Sequence, residues 1–278
     1  MIPDLKLKKL LLESEQKGLV WWNSWEDIGE GRLYLGQWQK PKKNYDAATR
    51  KKQWTGIGTI KYPDGAVYQG QTLNCKFEGF GRMTHANGDI YQGEWKNGMA
   101  HGNGTFCDTQ GSLYEGDWYE DQMHGQGTEY WDYYKIKYQG DYQNGQKTGK
   151  GTFTCDGSTY QGEFVDGMFQ GRGQYFFADT GKIYKGQFEE NQPCGMGEMI
   201  WPDQSKYIGE FKDGMMHGMG EKRYANGNVH NGTWFEDKAH GPGTLTTANT
   251  TIEGNWLHGK LEKTSTPASP VKKPQALQ

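Results

Sequence analysis

The chain places aromatic residues, glycines and polar residues in short alternating runs. In the run YQGEW, the residues Tyr91, Gly93 and Trp95 occupy alternate positions, with Gln92 and Glu94 between them. Because successive side chains of a strand point to opposite faces, the two rings and the glycine share one face. The pattern therefore predicts a half-buried β-strand with a polar opposite face.

A turn and a returning strand follow each of these runs. Steps such as Asn97-Gly98 and Asp166-Gly167 come directly after them, and Asn-Gly and Asp-Gly accept the positive φ angles of type I′ hairpin turns. The returning strand opens with Gly-x-Gly, and a second turn such as residues 63–65 leads to the next tyrosine. One repeat predicts one hairpin, and consecutive hairpins predict a meander.

The repeat is regular along most of the chain. Copies begin at residues 68, 91, 114, 138, 160, 184, 207, 230 and 252, in steps of 22 to 24 residues, with a further start at Tyr34. A fixed period of this length is typical of a repeat architecture. Glycine inside a strand often marks the close approach of another group, so we expect the rings to lie flat across neighbouring glycines such as Gly162.

The shared pattern, YxG[DEQ][WF]xxGxxxGxG, resembles the MORN (membrane occupation and recognition nexus) repeat over residues 34 to about 259. Thr72 and Cys75 depart from it in the second copy and His230 in the ninth, as expected of repeats near the ends of an array. The resemblance implies an elongated, twisted, largely single-layer antiparallel sheet. The predicted fold is thus all-β, a meander of about ten hairpin repeats.

Three segments are expected. Residues 1–30 form an N-terminal segment whose leucine stripe at residues 4–16 predicts a short amphipathic helix. Residues 31–260 form the repeat array, interrupted by a basic insert at about 39–53. Residues 261–278, rich in Pro, Ser, Thr and Lys, predict a flexible tail.

Composition supports an array built on rings. The chain has 278 residues, of which 42 are Gly, and aromatic residues make up 14%, too many for a disordered chain. Four scattered cysteines without a CxxC pair fit a reducing cytosolic compartment. The net charge of −3 is uneven, with +4 over residues 1–67, −9 over 68–260 and +2 over the tail. An acidic array is unfavourable for nucleic acid.

Two sets of residues are candidates for binding. The aromatic face of the repeats is a candidate protein-interaction face, with the alternative that its rings serve to hold the sheet together. Its residues are Tyr91, Trp95, Tyr114, Trp118, Tyr138, Tyr142, Tyr160, Phe164, Tyr184, Phe188, Tyr207 and Phe211. The insert is a candidate basic docking site, or simply a solvated loop, and its cations are Lys40, Lys42, Lys43, Arg50, Lys51 and Lys52.

No catalytic, cofactor or metal site is expected. His101, His124, His217 and His240 share one repeat position, but equivalent positions in adjacent repeats are about 10 Å apart, whereas zinc–nitrogen bonds are about 2 Å. We expect these histidines to pack beside their hairpins. The carboxylates at the fourth motif position, such as Glu94, form a periodic row that we expect to face solvent or a partner. Phosphate-binding and hydrolase motifs do not occur in the sequence.

The expected function is a non-catalytic scaffold. The near-continuous repeats resemble radial spoke head and other ciliary axoneme MORN proteins in organisation, which implies a cytoplasmic, cytoskeletal location in the cilium or flagellum and protein partners in a multi-subunit assembly. The alternative is a membrane-contact or phosphoinositide-binding adaptor that uses the basic insert and the N-terminal helix. Self-association through faces or edges is a third possibility.

Overall fold

The computed structural model describes residues 19–39 and 53–262, and the backbone of 263–264 and 269–270. Within them the chain forms β-strands and one 3₁₀ turn, Asp132–Tyr134. The chain divides into two compact units. The first ends at Gln146 and the second begins at Lys147. The all-β prediction is confirmed.

The first unit is an antiparallel meander in which every strand pairs with the next along the chain. Its strands are β1 (Leu19–Gly29), β2 (Arg32–Gln39), β3 (Trp54–Lys61), β4 (Val67–Leu73), β5 (Lys76–Thr84), β6 (Ile90–Lys96), β7 (Met99–Cys107), β8 (Ser112–Tyr119), β9 (Gln122–Trp131) and β10 (Ile136–Gln143).

The second unit follows the same plan, with consecutive antiparallel pairs. Its strands are β11 (Gln146–Cys155), β12 (Ser158–Val165), β13 (Met168–Phe177), β14 (Lys182–Glu189), β15 (Gln192–Ile200), β16 (Lys206–Lys212), β17 (Met215–Arg223), β18 (Val229–Phe235), β19 (Lys238–Thr246), β20 (Thr250–Leu257), β21 (Lys260–Thr264) and β22 (Ser269–Pro270). The last strand, β22, pairs with β20.

The tight turns within the hairpins adopt the predicted conformation. Asn97 and Gly98 have φ angles of 54° and 92°, and Asp166 and Gly167 have 49° and 79°. Positive φ at both central residues defines the type I′ turn, whose twist matches that of paired strands. The hairpin prediction from Asn-Gly and Asp-Gly steps is therefore confirmed.

The N-terminal end of the array includes a strand that the repeat pattern did not predict. The predicted helix at residues 4–16 lies outside the described residues, as do all six cations of the basic insert. Strand β1, which pairs with β2 through Trp22 opposite Gly36, was not predicted. The backbone N–H of Gln39 donates to the carbonyl of Gln53 at 3.2 Å, so the insert replaces the tight turn between β2 and β3.

Candidate interaction surface

In seven of the described repeats, the opening tyrosine lies across a pair of glycines on facing strands. Tyr91 in β6 covers Gly93 on its own strand and Gly104, the partner of Gly93 in β7. A Cβ atom built on Gly104 would lie 2.6 Å from the Cε2 atom of the Tyr91 ring, and one on Gly93 would lie 2.5 Å from the Cα of Gly104. Only glycine leaves room for the ring, so the predicted stacking of rings on glycines is confirmed.

The tyrosine hydroxyl is fixed as well as the ring. Tyr91 donates to the carbonyl of Glu94 at 2.9 Å, Tyr160 to that of Glu163 at 2.9 Å, and Tyr207 to that of Glu210 at 3.1 Å. A buried phenol needs such a partner because an unsatisfied hydroxyl is costly in an apolar environment. Each tyrosine hydroxyl is thus bonded to the carbonyl of the residue three positions later in the chain.

The fifth motif position carries a second ring that packs edge-on. Trp118 lies 5.2 Å from Tyr114 of its own repeat and 5.0 Å from Tyr91 of the preceding repeat, at interplanar angles of 88° and 81°. In the second unit, Phe211 makes the same two contacts with Tyr207 and Tyr184. Edge-to-face pairs at such distances are favourable because the positive ring edge meets the negative face. The rings form a column that links successive repeats.

Burial raises the pKa of these tyrosines. The pKa of Tyr160 rises to about 12 because desolvation penalises the phenolate. The same cause raises the pKa of the equivalent tyrosines in the other repeats, including Tyr91, Tyr114 and Tyr207. The phenols of the column are therefore neutral at physiological pH.

The acidic and amide side chains at the fourth motif position have a role that the sequence did not reveal. Returning strands such as β9 and β17 carry a β-bulge at the Gly-x-Gly segment, which leaves the N–H of the middle residue outside the ladder with the preceding strand. Glu210 Oε1 accepts the N–H of Met219 at 2.9 Å, and Asp117 Oδ2 accepts that of Gln126 at 3.0 Å. These carboxylates hold the bulge, in addition to meeting solvent as predicted.

Among the described residues, four two-residue turns lack glycine, and a side chain compensates in three of them. Asp121 has a φ of 65°, in the left-handed region that is costly for residues with a Cβ. Its N–H donates to the carbonyl of Ala100 at 3.1 Å, and its Oδ1 accepts the N–H of the same residue at 2.7 Å. Asn191 and Asp237 make equivalent paired bonds. Each such turn is thus tied to the preceding hairpin.

The histidines pack beside their hairpins as predicted. His101 and His124 flank Tyr119, with ring centroids 5.2 and 5.7 Å away, and His217 and His240 flank Phe235 in the same way. In the part of the chain that the structure describes, no group of three or more His, Cys, Asp or Glu side chains is placed to hold a metal ion. The described residues also include no helix with the length and hydropathy that a bilayer span requires.

The twelve residues of the candidate interaction face are all buried within the chain. Their packing corresponds to the alternative in which the rings hold the sheet together, and their role as an interaction face stays a prediction. The basic insert, Lys40, Lys42, Lys43, Arg50, Lys51 and Lys52, lies outside the described residues.

Large apolar side chains are exposed elsewhere. Met196, Ile208 and Met219 are each more than two-fifths exposed, on the face opposite the aromatic column of the second unit. In the first unit, Tyr133 and Tyr134 of the loop between β9 and β10 are 85% and 62% exposed. The repeat pattern gives no structural reason for these two rings. The sequence pattern did not indicate them because they lie between two copies of the motif.

Comparison with known families identifies the repeats. Residues 68–90, 91–113, 114–132, 138–159, 160–182, 184–206, 207–229 and 230–251 each match the MORN repeat. The chain belongs to the MORN repeat family. The eight matches extend over more than half of the sequence, and residues 133–137 of this MORN protein fall between two of them. Comparison with curated proteins finds no match.

Several solved structures also match the MORN chain. The TCP10c domain of Drosophila melanogaster Sas-4 is 13% identical, with a TM-score of 0.34 and coverage of 56% of this chain and 93% of that one. The SAS-4 (dCPAP) TCP domain of the same organism, in complex with a proline-rich motif of Ana2 (dSTIL), is 12% identical, with a TM-score of 0.33 and coverage of 70% and 97%. The G-box domain of the microcephaly protein CPAP is 12% identical, with a TM-score of 0.34 and coverage of 76% and 99%.

Proposed function

We propose that this MORN protein is a non-catalytic scaffold that binds partner proteins in a cytoskeletal assembly, in particular a ciliary axoneme complex such as the radial spoke head. The observation that carries the proposal is the use of the repeated side chains. The tyrosines, the fifth-position rings and the fourth-position carboxylates all bond within the chain. The repeated chemistry therefore builds a framework, and a framework of stacked repeats presents an extended surface to partners.

Exposed apolar residues support binding rather than catalysis. Scattered single apolar side chains are ordinary on a protein surface, but grouped ones mark interaction sites. Met196, Ile208 and Met219 lie on the three neighbouring strands β15, β16 and β17, on the bulge-bearing face of the second unit, and Met219 follows one repeat after Met196. In the proposal, partners contact this face, and the buried rings of the aromatic face give it a rigid support.

Proximity labelling in ciliated cells tests the assignment. The full chain is fused to a labelling enzyme, and a matched fusion carries Met196→Ser, Ile208→Ser and Met219→Ser. The proposal expects axonemal proteins among those labelled, with fewer of them for the triple variant. Recovery of plasma-membrane or endoplasmic-reticulum proteins in place of axonemal ones contradicts it.

The membrane-adaptor alternative rests on the segregation of charge in the sequence. Residues 1–67 carry +4 while residues 68–260 carry −9, so an anionic surface would attract the N-terminal end. Flotation with vesicles that contain anionic lipid separates the alternatives, and charge reversal of Lys40, Lys42 and Lys43 is the matched variant. Strong flotation that the variant loses supports the adaptor, whereas no flotation supports the scaffold.

A further inference from the structure

A groove lies between two turns at one edge of the first unit. The turn between β7 and β8 contributes Asp108, Gln110 and Ser112, and the loop after β9 contributes Trp131, Asp132, Tyr133 and Tyr134. The two turns are neighbours because Ser112 pairs with Trp131 across β8 and β9. The space between them is about 480 Å³, within the usual range of roughly 300–1,000 Å³ for ligand sites.

The loop that carries the rings is an addition to the repeat. Residues 133–137 belong to none of the matched repeats. Asp132–Tyr134 form a 3₁₀ turn, in which the N–H of Lys135 donates to the carbonyl of Asp132 at 3.2 Å. This turn holds the two tyrosine rings outward. Tyr133 and Tyr134 meet edge to face, with centroids 5.0 Å apart and planes at 87°. Ring faces at right angles form two walls of the groove.

Carboxylates line the remaining sides. Asp108 Oδ1 accepts the N–H groups of Gln110 and Ser112 at 2.9 and 2.8 Å, which fixes the carboxylate in place. The bond from the Ser112 N–H lowers the pKa of Asp108, so this group is ionised at neutral pH. None of the described residues that line the groove is a lysine or an arginine.

Two tryptophan rings elsewhere in the chain are covered by its own lysines. Lys61 Nζ lies 4.4 Å from the centroid of Trp25, and Lys222 Nζ lies 4.3 Å from that of Trp201. These are cation–π contacts, in which the negative face of the ring attracts the ammonium group. In the groove the rings and the carboxylates occur together, and both attract a cation.

We propose that this groove is a docking site for an arginine side chain on an exposed basic segment of a partner protein. The planar guanidinium stacks on the face of one of the two tyrosines, Tyr133 or Tyr134, points its edge at the other ring, and donates to the carboxylates of Asp108 and Asp132. Arginine fits better than lysine because its fork of donors matches carboxylates and its plane stacks on rings. The inference rests on the proposed scaffold function and adds to it a partner chemistry and a site.

Fluorescence anisotropy with labelled peptides tests the site on the full-length protein. The probe is a glycine-serine peptide with one central arginine, and the control peptide carries citrulline, which has the same shape without the charge. We expect the arginine peptide to bind more tightly by roughly tenfold or more, as for an anchoring side chain in a pocket. Equal binding of the two peptides overturns the proposal.

Protein variants locate the binding. Tyr133→Ser with Tyr134→Ser is expected to weaken binding of the arginine peptide by roughly tenfold, and Asp132→Asn is expected to weaken it most at low salt. Tyr119→Ser is the matched control, since Tyr119 is a half-exposed tyrosine of the same unit that does not line the groove. Equal loss in the control variant, or retained binding in the double variant, contradicts the site.

The same double variant separates the site from the scaffold function. If it keeps all labelled partners in ciliated cells and the peptide assay shows no preference for arginine, the groove proposal fails while the scaffold proposal stands. If the wild-type chain labels no cytoskeletal protein at all, the scaffold proposal itself fails.

Discussion

At the scale of single residues, the contacts within the repeat restrict which residue types each motif position can hold. Gly162 must be glycine because a Cβ there would meet the hydroxyl of Tyr160 and come within 2.7 Å of the Cα of Gly173. The fourth position is less strict. It needs an oxygen that can accept an N–H, and Glu, Asp and Gln each supply one, as Gln187 does for Met196 at 3.2 Å.

Replacing Gly162 by Val tests the contact between ring and glycine. Overpacking of this kind costs about 1–3 kcal/mol of unfolding free energy, because the ring of Tyr160 cannot move away without losing its hydrogen bond and its neighbours. The matched control is Gln161→Val, which places the same side chain at an exposed position on the opposite face. Urea denaturation measures both, and similar stability of the two variants would show that the glycine is not required.

Replacing Glu210 tests the support of the bulge. Glu210→Ala leaves the N–H of Met219 without its acceptor, and we expect a loss of about 1 kcal/mol. Glu210→Gln keeps an Oε1 acceptor and should unfold close to the wild type, since glutamine occupies this position in another repeat. If the two variants have the same melting temperature, the charge of Glu210 rather than its hydrogen bond accounts for its contribution to stability.

At the scale of elements, each hairpin is joined to the one before it through its tight turn. The second turn residue donates its N–H to a carbonyl of the preceding hairpin, as Gly98 does to Phe77 at 2.9 Å. Glycine provides this geometry without strain. Where Asp or Asn replaces it, the side-chain oxygen adds a second bond that offsets the cost of the left-handed backbone.

The turn at Asp121 provides the test. Asp121→Ala keeps the positive φ but loses the bond from Oδ1 to the N–H of Ala100, so we expect a loss of about 1–3 kcal/mol. Asp121→Asn keeps the acceptor and should be nearly neutral, because Asn191 has this role in another turn. Circular dichroism melts of both variants decide the matter, and a neutral alanine variant would refute the compensation.

At the scale of the whole molecule, the buried phenols couple stability to pH. In the unfolded chain a tyrosine has a pKa of about 10, whereas burial raises the pKa of Tyr160 to about 12 and moves those of the equivalent tyrosines in the same direction. The folded chain keeps its phenolic protons in a pH range where the unfolded chain has released them. The contribution is fully present below pH 10 and is lost as the pH rises above that value.

We therefore expect the protein to unfold cooperatively in alkali. Between pH 10 and 12 each such tyrosine lowers the unfolding free energy by about 1.4 kcal/mol per pH unit, and several act together. Phenolate absorbance near the ultraviolet tyrosine band and circular dichroism are followed in the same titration. Phenolate formation that coincides with loss of β-structure agrees with this account, and phenolate formation in a folded chain contradicts it.

The sequence by itself determined the hairpins, their turns and the stacking of Tyr91 on glycine. These features depend on neighbours a few residues apart, on strand alternation and on the φ preferences of Asn-Gly, all of which are visible in a linear pattern. The MORN resemblance followed from the same local pattern.

Only the tertiary structure decided where longer-range groups meet. Glu210 finds its partner nine residues away, because a bulge displaces the N–H of Met219, and Asp121 finds Ala100 in the preceding hairpin. The groove joins Asp108 to Tyr133 because strand register brings two separate turns together. Strand β1 is fixed by pairing with β2, since its own sequence lacks the repeat pattern. Side-chain type was visible in each case, but the partner depends on register, which arises only when the strands assemble.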